Sequence, residues 1–235
     1  MADSDSRTGT APLSALEPIR AGLARPWRRL PGRNFTKADV LLYRLDGIEV
    51  AVKDYGPRPL VVRHTLARLL LGREIHAYRA AEGLPGLPRY LGRLGPFRLA
   101  LERVDGEPLA DLRATPRDDA LFDRLAGLID ALHARGIALG DLHHRDVLVG
   151  ADGSVRIVDL ATAWIAGEGA GRVRRAVFRR LAELDRVAVA RMRARWTGGD
   201  IDAAPGTVSR SAAAWHARGR RIKSAVNRLR GRGRH

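Results

Sequence analysis

The chain has no cysteine, which excludes disulfides, zinc–thiolate sites and a thiol nucleophile and leaves the redox compartment open. It also lacks an uninterrupted apolar run. The greasiest stretch, Val61–Ala80, is broken by arginines and falls short of the roughly 20 residues a membrane span requires. No secretory apolar segment follows the polar start MADSDSRTGT, so a cytoplasmic location is expected. Acidic residues are scarce: Lys and Arg total 42 against 26 Asp and Glu, a formal charge of +16. From Ala203 to His235 there is no acid, while Arg210, Arg218, Arg220, Arg221, Lys223, Arg228, Arg230, Arg232 and Arg234 are all cationic. Such a surface attracts nucleic acid, anionic lipid or a phosphorylated substrate, unless the arginines only reflect the base composition of the source genome. Zinc-finger and recognition-helix motifs are missing, and Trp164, Trp196 and Trp215 are not interleaved with cations in a stacking pattern. Nucleic acid is therefore the weaker partner class.

With 45% apolar residues among 235 positions, the chain can build one ordinary domain or two small lobes. Residues 1–13 read as a flexible leader without apolar period. Leu41–Tyr55 reads as a hairpin turning at Asp46–Gly47, with Val50 and Val52 alternating on its second strand. A helix is expected over Val61–Ala81, with Leu66, Leu69, Leu70 and Ile75 as its apolar positions, stopped by Gly83–Gly86. Phe97–Val104 predicts a strand. Leu121, Leu125, Leu128, Ile129 and Leu132 then mark a helix that ends before Gly136. Val147–Val149 and Val155–Val158 flank the turn residues Ala151–Ser154, and Val177–Trp196 reads as a further helix. The expected class is α+β, strand-rich first and helical second, without internal repeats.

The second hairpin organises the chemistry. Asp146 just precedes its first strand and Asp159 just follows its second, so the two carboxylates can meet at the open end, with Asp141 five residues upstream. Lys53 lies amid Val50, Ala51 and Val52, where an unpaired ammonium would be desolvated at a cost, and Glu74 one helix away is its best partner. Either residue alone would more often be a snorkelling lysine or a solvated acid. Phosphoryl transfer requires oxygens for a divalent cation, a cation near the nonreacting phosphates and a group that orients the attacking hydroxyl. Asp146 with Asp159, Lys53 and Asp141 supply these in turn.

VAVK around Lys53, a helical Glu74, the linker LERVDG, the loop GDLHHRDVLV and the motif IVDLA together resemble the protein-kinase-like superfamily. The similarity is closest to the bacterial kinases of lipopolysaccharide core sugars, the heptose and Kdo kinases; RIO-like and aminoglycoside-phosphotransferase-like kinases share the Gly-Asp-Leu-His loop. It spans roughly Leu41 to Arg195. The resemblance implies a bilobal fold with a β-rich N-lobe (residues 14–104) and a mostly helical C-lobe (residues 105–205), followed by a basic tail (residues 206–235). It implies Asp141 as catalytic aspartate, Lys53 and Glu74 as the phosphate-orienting pair, and Asp159 as principal metal ligand with Asp146 beside it. Glu102 and Val104 would lie along the adenine linker, and His143 and His144 would contact substrate or shape the loop. The implied cofactors are ATP and Mg2+, with Mn2+ as the alternative ion.

Three departures qualify the match. Asp146 stands where the family has Asn. Leu30–Asn34 holds a single glycine in place of a glycine-rich phosphate loop, leaving Arg33 or Lys37 to compensate electrostatically. The segment after Asp159 is short and lacks Ala-Pro-Glu, which favours a sugar or lipid-linked sugar acceptor over a peptide. The expected activity is ATP-dependent phosphorylation of a carbohydrate or glycolipid hydroxyl; a nucleotide-binding pseudokinase and a small RIO-like serine kinase are the alternatives. Asp185 is either a buried anchor for the Asp141 loop or a solvated helical acid. Trp215, Ile222, Val226 and Leu229 share a helical face in the basic tail, which either packs on the C-lobe or docks on an anionic membrane.

Overall fold

The computed structural model describes residues 13–32, 37–45, 47–112, 118–167 and 169–199. The leader up to residue 12, Arg33, Asp46 and the basic tail from residue 206 lie outside the described residues. The architecture is mixed α+β. A short 3-10 turn (Leu13–Leu16) runs into α1 (Glu17–Arg20), followed by β1 (Arg28–Leu30), β2 (Asp39–Leu45), β3 (Ile48–Asp54), α2 (Leu60–Val62) and α3 (Arg68–Ala80). Then come β4 (Tyr90–Arg93), β5 (Arg98–Glu102), β6 (Glu107–Pro108), α4 (Asp119–Ala134), β7 (Ile137–Ala138), β8 (Val147–Val149), β9 (Val155–Ile157), β10 (Trp164–Ile165) and α5 (Arg172–Thr197).

The first five strands form an antiparallel sheet in the order β1-β2-β3-β5-β4. Its central hairpin closes at the expected place: Leu45 pairs with Ile48, and Gly47 takes the positive φ, +82°, that a two-residue turn demands. Side chains alternate across a strand, so the two faces of β3 have different neighbours. Val50 and Val52 pack with Leu16, Ile19, Leu91 and Leu94. Lys53 is thereby turned to the other face, where Leu99 and Leu101 of β5 join a larger core with Leu71, Ile75 and Tyr78 of α3.

That core continues into the second part of the chain through Phe122, Leu125, Ile129, Ile157, Leu160 and Met192. The sequence-derived face of α4 is buried as expected, and Asp118 caps it by accepting the Leu121 amide at 3.1 Å. α5 begins at Arg172, five positions before Val177, and ends at Gly198 in the left-handed region. α3 departs from expectation. The run from Leu60 is helical, but Arg63–Ala67 forms a π turn, whose extra residue rotates the face. Leu66 and Leu69 are therefore exposed, and Ala67, Leu71, Glu74, Ile75 and Tyr78 face inward.

Among the described residues no helix is long and apolar enough to cross a membrane. Three charged side chains there are buried, Asp39, Glu74 and Asp185. Each holds together segments distant in sequence, and together they frame the site.

Candidate functional site

β3 presents Lys53 to α3, where its ammonium donates to Oε1 of the fully buried Glu74. Nζ also donates to Oδ1 of Asp159 at 3.1 Å. Burial alone would lower the Lys53 pKa, but Asp159 and Glu74 outweigh it and hold the ammonium well above its ordinary range. The charge is therefore permanent at any physiological pH. Tyr78, on the same helix as Glu74, donates its hydroxyl to the Val158 carbonyl at 3.1 Å, and Arg73 donates to the carbonyl of Ala163 at 3.2 Å. α3 is thus tied to both flanks of the Asp159 segment.

The hairpin of β8 and β9 places the acids. Val158 N–H donates to the Asp146 carbonyl at 3.0 Å, closing the open end of the hairpin and setting the two aspartates on one rim. Desolvation, then the charge of Asp159, raise the Asp146 carboxyl to about 6; the charge of Asp141 adds to this. Burial would raise Asp159 as well, but Lys53, Lys37 and the Ala161 amide hold it far below the carboxylate range. The pair therefore splits into one firmly ionised acid and one whose proton is held near neutrality.

Asp141 is exposed on the loop after β7. The loop is anchored from α5: buried Asp185 accepts from Leu139 N at 2.8 Å, Gly140 N at 2.7 Å and pairs with His133 at 3.0 Å. Of the two readings of Asp185, the buried anchor is the one observed. Gly140 must be glycine, because its φ is +72° and a Cβ would come within 2.9 Å of Leu181 Cδ2. His143 accepts the Arg145 amide on Nδ1 at 3.2 Å, so it shapes the loop turn. The His144 ring lies between His143, 3.9 Å away, and Trp196, 5.5 Å away.

The structure also assembles residues that spacing did not bring forward. Lys37, which the sequence offered only as a compensating charge, donates to Oδ2 of Asp159 at 3.0 Å. Asp39, at the start of β2, gathers Arg29, Arg58 and the Gly32 amide around one buried carboxylate. An acid opening a hydrophobic strand between arginine-rich segments was the available signal. Glu102 ends β5 and its amide donates to the Arg89 carbonyl at 2.8 Å, with Val104 two residues on in the segment leading to β6. Glu102 Oε2 lies 3.8 Å from Arg89.

The arrangement can hold a hard divalent cation on two carboxylates, provided phosphate or water completes the oxygen shell. Among the described residues no cluster of three or more His, Cys, Asp or Glu forms a metal cage. Asp146, desolvated and beside the charge of Asp159, together with two ammonium groups already drawn to Asp159, fits a rim that favours positive charge. No protein-family model and no curated protein matches the chain.

Proposed function

We propose that the chain is an ATP-dependent kinase with a protein-kinase-like bilobal fold, its N-lobe spanning residues 14–104 and its C-lobe residues 105–205. The observation that carries this reading is the Lys53 ammonium shared between Glu74 of α3 and Asp159 after the second hairpin. Lys53 would contact the nonreacting phosphates of ATP, with Glu74 fixing its position. Asp141 would accept the proton of the acceptor hydroxyl as its oxygen bonds to the γ-phosphorus and the bond to ADP breaks. Mg2+ or Mn2+, held by Asp159 and Asp146, would offset the negative charge of the phosphate oxygens. Catalysis would come from alignment and charge complementarity, which the buried anchors Glu74 and Asp185 preserve.

The proposed acceptor is a hydroxyl of a sugar or lipid-linked sugar, such as a lipopolysaccharide core. What supports it is the short path from Asp159 to α5, part of which is spent on Trp164–Ile165 pairing with Ile137–Ala138. Little backbone remains there to dock an extended peptide. The proposed location is the cytoplasm, at the inner membrane face if the basic tail engages anionic lipid. A nucleotide-binding pseudokinase is the second reading, favoured by Lys37 on Asp159 and by an aspartate at position 146. Incubation with labelled ATP and fractionated cell extract separates the two: a labelled glycan formed by wild type and not by Asp159→Ala or Asp141→Asn supports the kinase. A labelled protein carrying phosphoserine would point to the RIO-like alternative. Full activity in Asp141→Asn would overturn the assignment of the base.

A further inference from the structure

The Asp159 carboxylate has two different clients. Oδ1 accepts from Lys53 and from the Ala161 amide, both within the fold. Oδ2 accepts from Lys37, whose side chain is 53% exposed while that of Lys53 is 13% exposed. Lys53 cannot leave without stranding Glu74, whereas the Lys37 ammonium can swing into water at little cost. The backbone beneath Lys37 lies against Gly32. At Gly32 a Cβ would come within 2.4 Å of the Lys37 carbonyl and 2.7 Å of the Ala38 carbonyl, so these backbones cross in contact. Asp39 then ties the Gly32 amide to Arg29 and Arg58. The four-carbon stem of Lys37 then offers the ammonium a route off Asp159 that leaves these contacts in place.

We propose that Lys37 is the exchange cation of this site: it caps Asp159 Oδ2 in the absence of a divalent ion, yields when one binds, and then holds a phosphate oxygen of the nucleotide. A divalent ion on Asp159 must take Oδ2, because Oδ1 is committed, and its charge repels the ammonium it displaces. With Asp159 and Asp146 engaged by the ion, the polyphosphate on that ion is the anion left for the ammonium to meet. Lys37 would supply there, as one point charge, what loop amides cannot in a segment with a single glycine. This inference rests on the nucleotide-site reading above.

The two halves have opposite signs, which makes them testable on the full-length protein. Lys37→Met and Lys37→Gln are compared with wild type and Lys37→Arg for binding of Mn2+ alone, of Mg2+ with a nonhydrolysable ATP analogue, and of adenosine. Losing a half-exposed charged partner is worth about three- to tenfold in affinity. The neutral variants are expected to bind Mn2+ alone about that much tighter and the Mg2+–nucleotide about that much more weakly, with adenosine unchanged and Lys37→Arg like wild type. Shifts of the same sign, or none, in either neutral variant would overturn the exchange role while wild-type nucleotide binding keeps the kinase reading standing. Wild type that binds no Mg2+–nucleotide would overturn both.

Discussion

Asp185 Oδ1 accepts the Gly140 amide at 2.7 Å, joining the middle of α5 to the residue immediately before Asp141. The same carboxylate holds Leu139 N and His133, so its removal leaves several buried polar groups unpaired. Asp185→Ala is expected to lose about 3 kcal/mol in urea unfolding. Asp185→Asn, which keeps one acceptor, should lose less. Native-state hydrogen exchange should accelerate first at the Leu139 and Gly140 amides; unchanged protection there would show that the loop does not depend on α5.

Removing one member of a buried ion pair strands the other. Lys53→Met should therefore destabilise the protein by about 3–5 kcal/mol, because Glu74 keeps its burial and loses its cation. Adding Glu74→Leu should restore most of that stability; on the proposed kinase reading it should not restore phosphoryl transfer, for which Lys53 is the proposed phosphate contact. Chemical denaturation of the single and double variants measures the coupling.

Asp146 predicts an inverse pH dependence. Its carboxyl titrates at about 6 in the fold and near 3.8 when unfolded, so between these values the folded state holds the extra proton. Its stabilising contribution is complete below the unfolded value and is lost as pH rises through about 6. At pH 8 the ionised group then costs about 2–3 kcal/mol relative to acid conditions. Asp146→Asn should be more stable than wild type by about that amount at pH 8, with the gap shrinking towards zero near pH 4. A constant gap across the range would mean that ionisation of a desolvated Asp146 beside Asp159 is not the cause.

Gly140→Ala combines a left-handed backbone with a clash on Leu181. A loss of about 2 kcal/mol is expected. Leu181→Ala in the same chain should return the steric share and leave the backbone share, so the double variant should lose less than the two single losses added. Full additivity in thermal unfolding would place the Leu181 side chain away from Gly140.

Local pattern was enough for the hairpins. Asp46–Gly47 lies between Leu42–Tyr43 and the alternating Val50 and Val52, Ala151–Ser154 lies between two valine-rich runs, and the registers Leu45 with Ile48 and Val149 with Val155 follow from turn chemistry and strand pleat. The apolar face of α4 was equally legible, because one uninterrupted α-helical period covers it. The face of α3 was not. Its π turn over Arg63–Ala67 shifts the period partway along the run, and Leu66 and Leu69 fell on the wrong side. The short pairings β6 with β8 and β7 with β10 also escaped, since two-residue strands carry no period of their own.

For the site, residue order alone sets which charges lie beside which turns: Lys53 in an apolar strand, Asp146 and Asp159 at the two ends of one hairpin, Asp141 in the loop before it. These assignments are local, fixed within a few bonds of the backbone geometry that creates them. Partners that spacing left open came from the folded chain: Asp159 as a second holder of Lys53 beside the expected Glu74, Asp185 as the observed anchor of the loop, and Lys37 on the remaining oxygen of Asp159, 122 positions away. Pairings across such distances depend on how the sheet packs against α3 and the hairpin. That packing is set by summed apolar contacts, which no single spacing in the chain records.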